Sequence, residues 1–417
     1  RGSNAAATRI NSSGLIEKYR ENVLLQSNNF GTTWATTNAS VTSGQSGYDG
    51  LNNAWELKEN TSTGVHEIIQ TLSVSTGVQT YSLKVSANTR SKMALVLAGS
   101  AFNSGGNGVG IFNLTNGTLI SSSGSLIDAK ITSLGGNWYN VSVTKLASSS
   151  SAVAVVQLVD DSNNTTYAGN GTGSILIQNA QLETGLVATE YLNSTSVTAK
   201  AGVLIDLPRI NFDANGENGA LLLEPSRQQL LPQSEYFAAT LWTSGQSRDY
   251  TLTYTNELNP QGLAGSYKYK SIASNNQLGA ITNNASGTTI TNSIYVKRVL
   301  GTGNVLLRNV NNVGTSFSLS ISDGWKRIDV TATTLATTSR IYLNLDDVND
   351  EVLIWGAQQE IGSYPSSYIP NHGTSGGVTR AADSCTGGGS AESINSVEGV
   401  LYAEIAALTQ DNTSVVE

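Results

Sequence analysis

Short runs in which apolar and polar residues alternate recur along most of the chain, separated by clusters of Gly, Asn, Ser and Asp. Tyr139, Val141 and Val143 form one such series, and Ile328, Val330 and Ala332 form another. A two-residue period puts every second side chain on one face, so these runs predict half-buried antiparallel strands. No stretch holds a 3.6-residue apolar stripe for more than a couple of turns, so very little helix is expected. Many short strands between turn signals predict an all-β fold of antiparallel sandwiches, most simply jelly rolls.

The alternating pattern is written twice. Gln26-Ser27-Asn28-Asn29-Phe30 followed by Trp34 matches Gln233-Ser234-Glu235-Tyr236-Phe237 followed by Trp242. Tyr81-Ser82-Leu83-Lys84 matches Ile294-Tyr295-Val296-Lys297, each ending a strand pattern on a lysine. Trp138 to Thr144 matches Trp325 to Thr331, and Ile175 to Glu183 matches Val352 to Glu360. The spacing between copies drifts from one landmark to the next, which is what insertions in surface loops produce between shared strands. Tandem copies of one β-sandwich module are therefore expected, over residues 23–197 and 230–377.

Around them the sequence predicts an N-terminal connector segment over 1–22, an extended inter-module connector over 198–229 and a linker over 378–398. The connector carries Leu204 to Phe212, a Gly/Asn turn, and Leu221-Leu222-Leu223-Glu224-Pro225. Val378-Thr379-Arg380-Ala381-Ala382-Asp383 echoes Ala7-Thr8-Arg9-Ile10-Asn11. Thr386 to Ser390 is Gly-rich and reads as a flexible break. Gly399 to Ile405 reads as a strand opening a third β domain over 399–417, and more chain is expected beyond it.

A length of 417 residues suits several cores, and 39% hydrophobic content with a net charge of -8 suits a folded chain. Charged residues make up only 13%, so the surface is rich in hydroxyls and amides. The acidic balance, with no basic stripe interleaved with aromatics, argues against a nucleic-acid partner. Apolar runs such as Met93 to Ala98 fall far short of the roughly 20 residues a membrane span needs, so no membrane insertion is expected. The single Cys385 cannot form an internal disulfide and reads as a small linker residue.

His66 and His372 stand far apart with no motif around either, which argues against a nucleophilic triad and against zinc. Glycoside hydrolysis needs only two carboxylates, whose separation the fold sets, so a polysaccharide depolymerase stays open as the alternative. We read the chain as a binding or structural protein, not an enzyme. Asp160-Asp161 in one copy and Asp346-Asp347 with Asp350 in the other are carboxylates that a structural Ca2+ would accept, while the plainer reading is hairpin turns built with Asp and Asn. No other cofactor is called for. Sugar rings stack on exposed aromatics. Trp34, Trp242, Trp138, Trp325 and Trp355 recur at landmarks or lie in a strand and read as core, leaving Trp55, Tyr48 and Tyr167 as candidate carbohydrate contacts.

In order, these segments resemble modular tail-fibre and minor structural proteins of bacteriophages. The resemblance rests on Arg1-Gly2-Ser3 leading through Ala7-Thr8-Arg9 to Gly14-Leu15-Ile16-Glu17. It continues with Leu207-Pro208-Arg209-Ile210-Asn211-Phe212, Leu221 to Arg227 and Leu230-Leu231-Pro232-Gln233-Ser234. Trp355 to Glu360, Tyr364-Pro365-Ser366-Ser367-Tyr368-Ile369-Pro370 and Thr379-Arg380-Ala381 close the set. Copy one departs from it by ending in Leu186 to Leu192 without the prolines, and copy two by Gln228-Gln229 where the family tends to carry Thr-Asn. The resemblance implies carbohydrate-binding-module-like sandwiches followed by a concanavalin-like domain. It implies location in a virion, other virion proteins as partners, a homotrimer, and attachment to host-surface polysaccharide. A secreted bacterial carbohydrate-binding adhesin would carry similar modules.

Overall fold

A computed structural model describes residues 6–213, 215–243, 248–309, 313–384, 405–406 and 415–416. The regular structure of the described segments is almost entirely strand, in antiparallel sheets, with one helical turn at Thr240–Thr243 and two short 3-10 turns. Two compact units emerge: one holds residues 19–202 and 372–374, the other the described residues of 1–18, 203–371 and 375–417. The second unit therefore takes in the N-terminal segment and most of the stretch expected as a connector. The third domain expected over 399–417 lies outside the described residues, apart from Ile405–Ala406 pairing with Val415–Val416.

Each unit is a sandwich with the same strand plan. In the first, one sheet runs Trp138–Ala147, Gly77–Ala87, Ser174–Thr184, Ala54–Glu59, Ala39–Gln45. In the second, the order is Lys326–Thr333, Thr289–Leu300, Glu351–Ile361, Ala264–Asn276, Arg248–Leu258. The facing sheets repeat as Gly108–Asn113, Lys92–Ala98, Ser151–Leu158, Glu67–Ser73 and as Gly314–Phe317, Val305–Arg308, Thr338–Leu345, Leu278–Asn283. Corresponding strands follow one another in the same chain order. The first unit adds the strands Thr118–Ser123 and Asp128–Gly135 between two shared strands, which is one source of the drifting spacing.

Local bonding is duplicated as closely as topology. Trp34 Nε1 donates to the Gln26 carbonyl at 3.2 Å and Trp242 Nε1 to the Gln233 carbonyl at 2.8 Å. Phe30 packs on Trp34 with ring centres 5.1 Å apart, and Phe237 on Trp242 at 4.8 Å. Gln181 donates to Glu183 at 2.7 Å and Gln358 to Glu360 at 2.7 Å; both carboxylates then accept from Thr189 or Ser366 in the exit segment. Both Ser174–Thr184 and Glu351–Ile361 are bulged where Asn179 (φ 55) and Gly356 (φ 60) adopt the left-handed conformation that Asn and Gly tolerate.

One sequence match needs correction. Thr80 pairs with Glu183 and shares a hydroxyl bond with Thr144, and Thr291 does the same with Glu360 and Thr331. Lys84 therefore corresponds to Tyr295, not to Lys297. A shift of two residues keeps every side chain on its own face, so alternation alone cannot detect it.

The first core is built from alternate residues such as Leu83, Val85, Val141, Val143, Ile175 and Ile177. Their neighbours face outward, where the copies differ most.

Candidate functional site

On the outer face of the first sandwich, three strands set Asn140, Lys84 and Gln178 side by side, since Lys84 pairs with Asn140 on one flank and Gln178 on the other. The next row holds Ser142, Ser82 and Gln181. The bulge at Asn179 lets Gln178 and Gln181 both face outward while Ala180 fills the core. Ser82 and Ser142 form a recessed floor, with the half-buried Asn140 and Lys84 standing above it.

A loop overhangs one side of this floor. Gln178 accepts from the Tyr48 amide at 3.2 Å and donates to Asn53 at 2.7 Å, which ties the 46–53 turn to the sheet. Tyr48 is 39% exposed, and the Lys84 ammonium lies 3.5 Å from its ring centre. Tyr191 approaches the same ammonium at 6.0 Å and is fixed by its hydroxyl bond to Ser27 at 2.7 Å. Burial pushes the Tyr191 hydroxyl up to about 12, so it stays protonated at neutral pH. The assembled surface offers amides, hydroxyls, the Lys84 ammonium and an exposed aromatic ring, with Gln178, Lys84 and Tyr191 fixed by their neighbours.

The corresponding face of the second sandwich is aromatic and covered. Arg327, Tyr295 and Trp355 stand where Asn140, Lys84 and Gln178 stand in the first copy, and Tyr368 replaces Tyr191. Ile16 packs with Trp355 and Tyr368, with Ile10, Tyr295 and Trp325 beside them. The covering piece is a hairpin of Thr8–Ile10 with Ile16–Lys18. A cavity of about 170 Å3 remains beside it, lined by Arg9, Asn211, Tyr295, Arg327 and Tyr368 among others.

Sequence candidates fall in different places. Tyr48 lies on the open face. Trp55 is half-buried, donates to the Asn28 carbonyl at 3.0 Å and packs against Phe30, so its ring faces the core. Tyr167 is only 9% exposed; its hydroxyl donates to Glu59 at 2.7 Å and its ring lies against His66. Neither offers a free ring to a sugar, which corrects the expectation for both. Among the tryptophans read as core, Trp34 and Trp242 are core, whereas Trp138 and Trp355 are buried on outer faces and Trp325 is half-buried.

Glu59 anchors that end of the first sandwich. Burial alone would raise its pKa, but bonds from Arg90, the Asn170 amide and Tyr167 outweigh it and hold the carboxyl below its ordinary range.

Of the acidic candidates, Asp160, Asp346 and Asp350 have carboxylates bonded within the fold. Asp160 accepts from the Ser162 and Asn164 amides at 2.9 and 2.7 Å, a turn made with its own backbone. Asp161 projects to solvent 3.8 Å from Arg90. Asp346 accepts from Asn304, and the Asp347 carbonyl accepts from the Asp350 amide. Asp350 is buried against Arg298 at 2.6 Å, which corrects its reading as a calcium ligand because the guanidinium occupies the place a cation would take. Among the described residues no group of three or more His, Cys, Asp or Glu gathers to hold a metal ion.

The residues that sequence reading missed are Asn140, Lys84, Ser82, Ser142 and Gln178. Their signal was the polar half of the same alternation that marked the core.

Comparison with known proteins brings no family: no family model matches the chain. No curated protein matches it. Solved structures align over most of its length at low identity. The tandem CBM22-1-CBM22-2 domain of Paenibacillus barcinonensis Xyn10C is 11% identical, covers 82% of this chain and 97% of its own, and gives a TM-score of 0.27. The tandem CBM51 modules of Sp3GH98, a family 98 glycoside hydrolase of Streptococcus pneumoniae, are 11% identical over 86% and 97%, with a TM-score of 0.22. The ANXUR1 extracellular domain of Arabidopsis thaliana is 6% identical over 84% and 97%, with a TM-score of 0.25.

Proposed function

We propose that the first sandwich binds glycan on its open outer face, and that the chain is a non-enzymatic attachment component of a phage tail appendage. The observation that carries the glycan reading is the row Asn140, Lys84, Gln178 above the Ser82 and Ser142 floor, walled by the exposed ring of Tyr48. Amides and hydroxyls held in place by a sheet match the donor and acceptor pattern of sugar hydroxyls without a large ordering cost, and an aromatic edge supplies the apolar contact. The second sandwich, whose equivalent face is filled by its own hairpin, serves as a structural member. The virion setting rests on the ordered sequence landmarks, as does a trimeric assembly in which weak sites gain by avidity.

Titration of purified host-type capsular polysaccharide into the protein tests this reading. Binding is expected for the native chain, weakened about tenfold or more, roughly 1.4 kcal/mol, in Asn140→Ala and Tyr48→Ala. Unchanged affinity in both variants would move the site elsewhere. Steady release of reducing ends would overturn the non-enzymatic part, and absence of the protein from immunolabelled particles would overturn the virion part.

A further inference from the structure

We infer that the glycan taken by this face is acidic, its anionic group received by Lys84; the inference rests on the glycan-binding reading above. Lys84 occupies the centre of the site, on the middle strand between Asn140 and Gln178. Its ammonium is held 3.5 Å over the Tyr48 ring with the Tyr191 ring at 6.0 Å, so its stem is positioned in advance of any ligand. No carboxylate among the described residues pairs with it.

The acids around the floor are turned to other partners. Asp49, in the overhanging loop, accepts from the Leu51 amide and from Asn53. Glu56, two strands away, accepts from Asn88. Glu183 accepts from Gln181 and Thr189. Lys130 lies beside Ser142 on the same face, and its nearby acid is Asp128, on its own strand. A positioned cation with no carboxylate partner among the described residues, set among groups suited to sugar hydroxyls, is a receptor for a sugar carboxylate.

The duplication supplies an internal comparison. At the same place the second sandwich carries Tyr295, enclosed with Trp355 and Tyr368 under the hairpin. The fold of this face therefore does not require a lysine, and the lysine is found in the copy whose face is open.

The test uses the full chain and a panel of oligogalacturonate, oligoalginate and sialylated oligosaccharides, each paired with its carboxyl-reduced neutral counterpart, in titration calorimetry at two salt concentrations. At least one acidic member is expected to bind ten times or more tighter than its neutral counterpart and to weaken as salt rises. Lys84→Met is expected to erase that preference and Lys84→Arg to keep most of it, with thermal melting confirming that both variants fold. Equal binding of acidic and neutral partners, or a charge preference surviving in a folded Lys84→Met, would overturn the acidic-ligand inference while leaving glycan binding intact. Binding of no member of either set would remove both.

Discussion

Trp355 and Tyr368 lie with ring centres 4.7 Å apart, tilted by 51°, on the outer face of the second sandwich. Trp355 is 2% exposed although it points away from the sandwich core, because Ile16 of the N-terminal hairpin closes over it. A strand residue on an outer face is normally wet, so this burial belongs to the hairpin and to Tyr368 of the exit segment, not to the sheet.

The first prediction follows from that contact. Trp355→Ala removes a large buried ring and is expected to cost about 3–5 kcal/mol, and Ile16→Ala about 2–4 kcal/mol. Hydrogen exchange resolved by segment should show lost protection in the second sandwich and in Thr8–Lys18, with the first sandwich unchanged. Full protection of the hairpin in Ile16→Ala would show that other contacts hold it.

The second prediction concerns Asp350 and calcium. Its carboxylate meets Arg298 at 2.6 Å with both groups buried, and Arg298 also donates to the Gly303 carbonyl. Removing one member of a buried pair leaves an uncompensated charge, so Asp350→Ala is expected to destabilise the second sandwich by about 3–5 kcal/mol. The loss should be the same with calcium or with a chelator present. Thermal melts that respond to calcium in the native chain but not in the variant would restore Asp350 as a metal ligand.

The strand content and the duplication were legible because alternation and recurring landmarks survive loop insertions. The match of Lys84 to Lys297 failed because a two-residue slip is silent in a two-residue pattern; the bonds of Thr80 and Thr291 are what fix the register. The site was half legible. Tyr48 could be picked as an aromatic among turn residues, but Asn140, Ser82 and Ser142 are unremarkable polar residues until three strands bring them together. Tyr167 misled because its local sequence looks like a loop, while its partner Glu59 is far away in the chain. Arg209, Glu224 and Arg380 stood out only as fragments of a resemblance, and their convergence is purely tertiary.

That convergence gives the third prediction. Glu224 accepts from Arg209 at 2.9 Å, Arg380 at 2.5 Å and the Ser367 hydroxyl at 2.6 Å, and Asp383 accepts from Arg209. Burial pushes the Glu224 carboxyl up, but Arg380, the Ser367 bonds and Arg209 together outweigh it, and its pKa lies below the ordinary value. With the folded pKa depressed, the unfolded chain takes up the proton first as pH falls. The stabilisation is therefore complete above the ordinary carboxylate range and drains away as pH drops through that range toward the lower folded value. Denaturant melts of the second sandwich from neutral to acid should show this decline. Glu224→Gln should be less stable at neutral pH and flatter against acid, because the titrating charge is gone while the two guanidiniums remain. A variant that keeps the native acid slope would assign the pH dependence to other carboxylates.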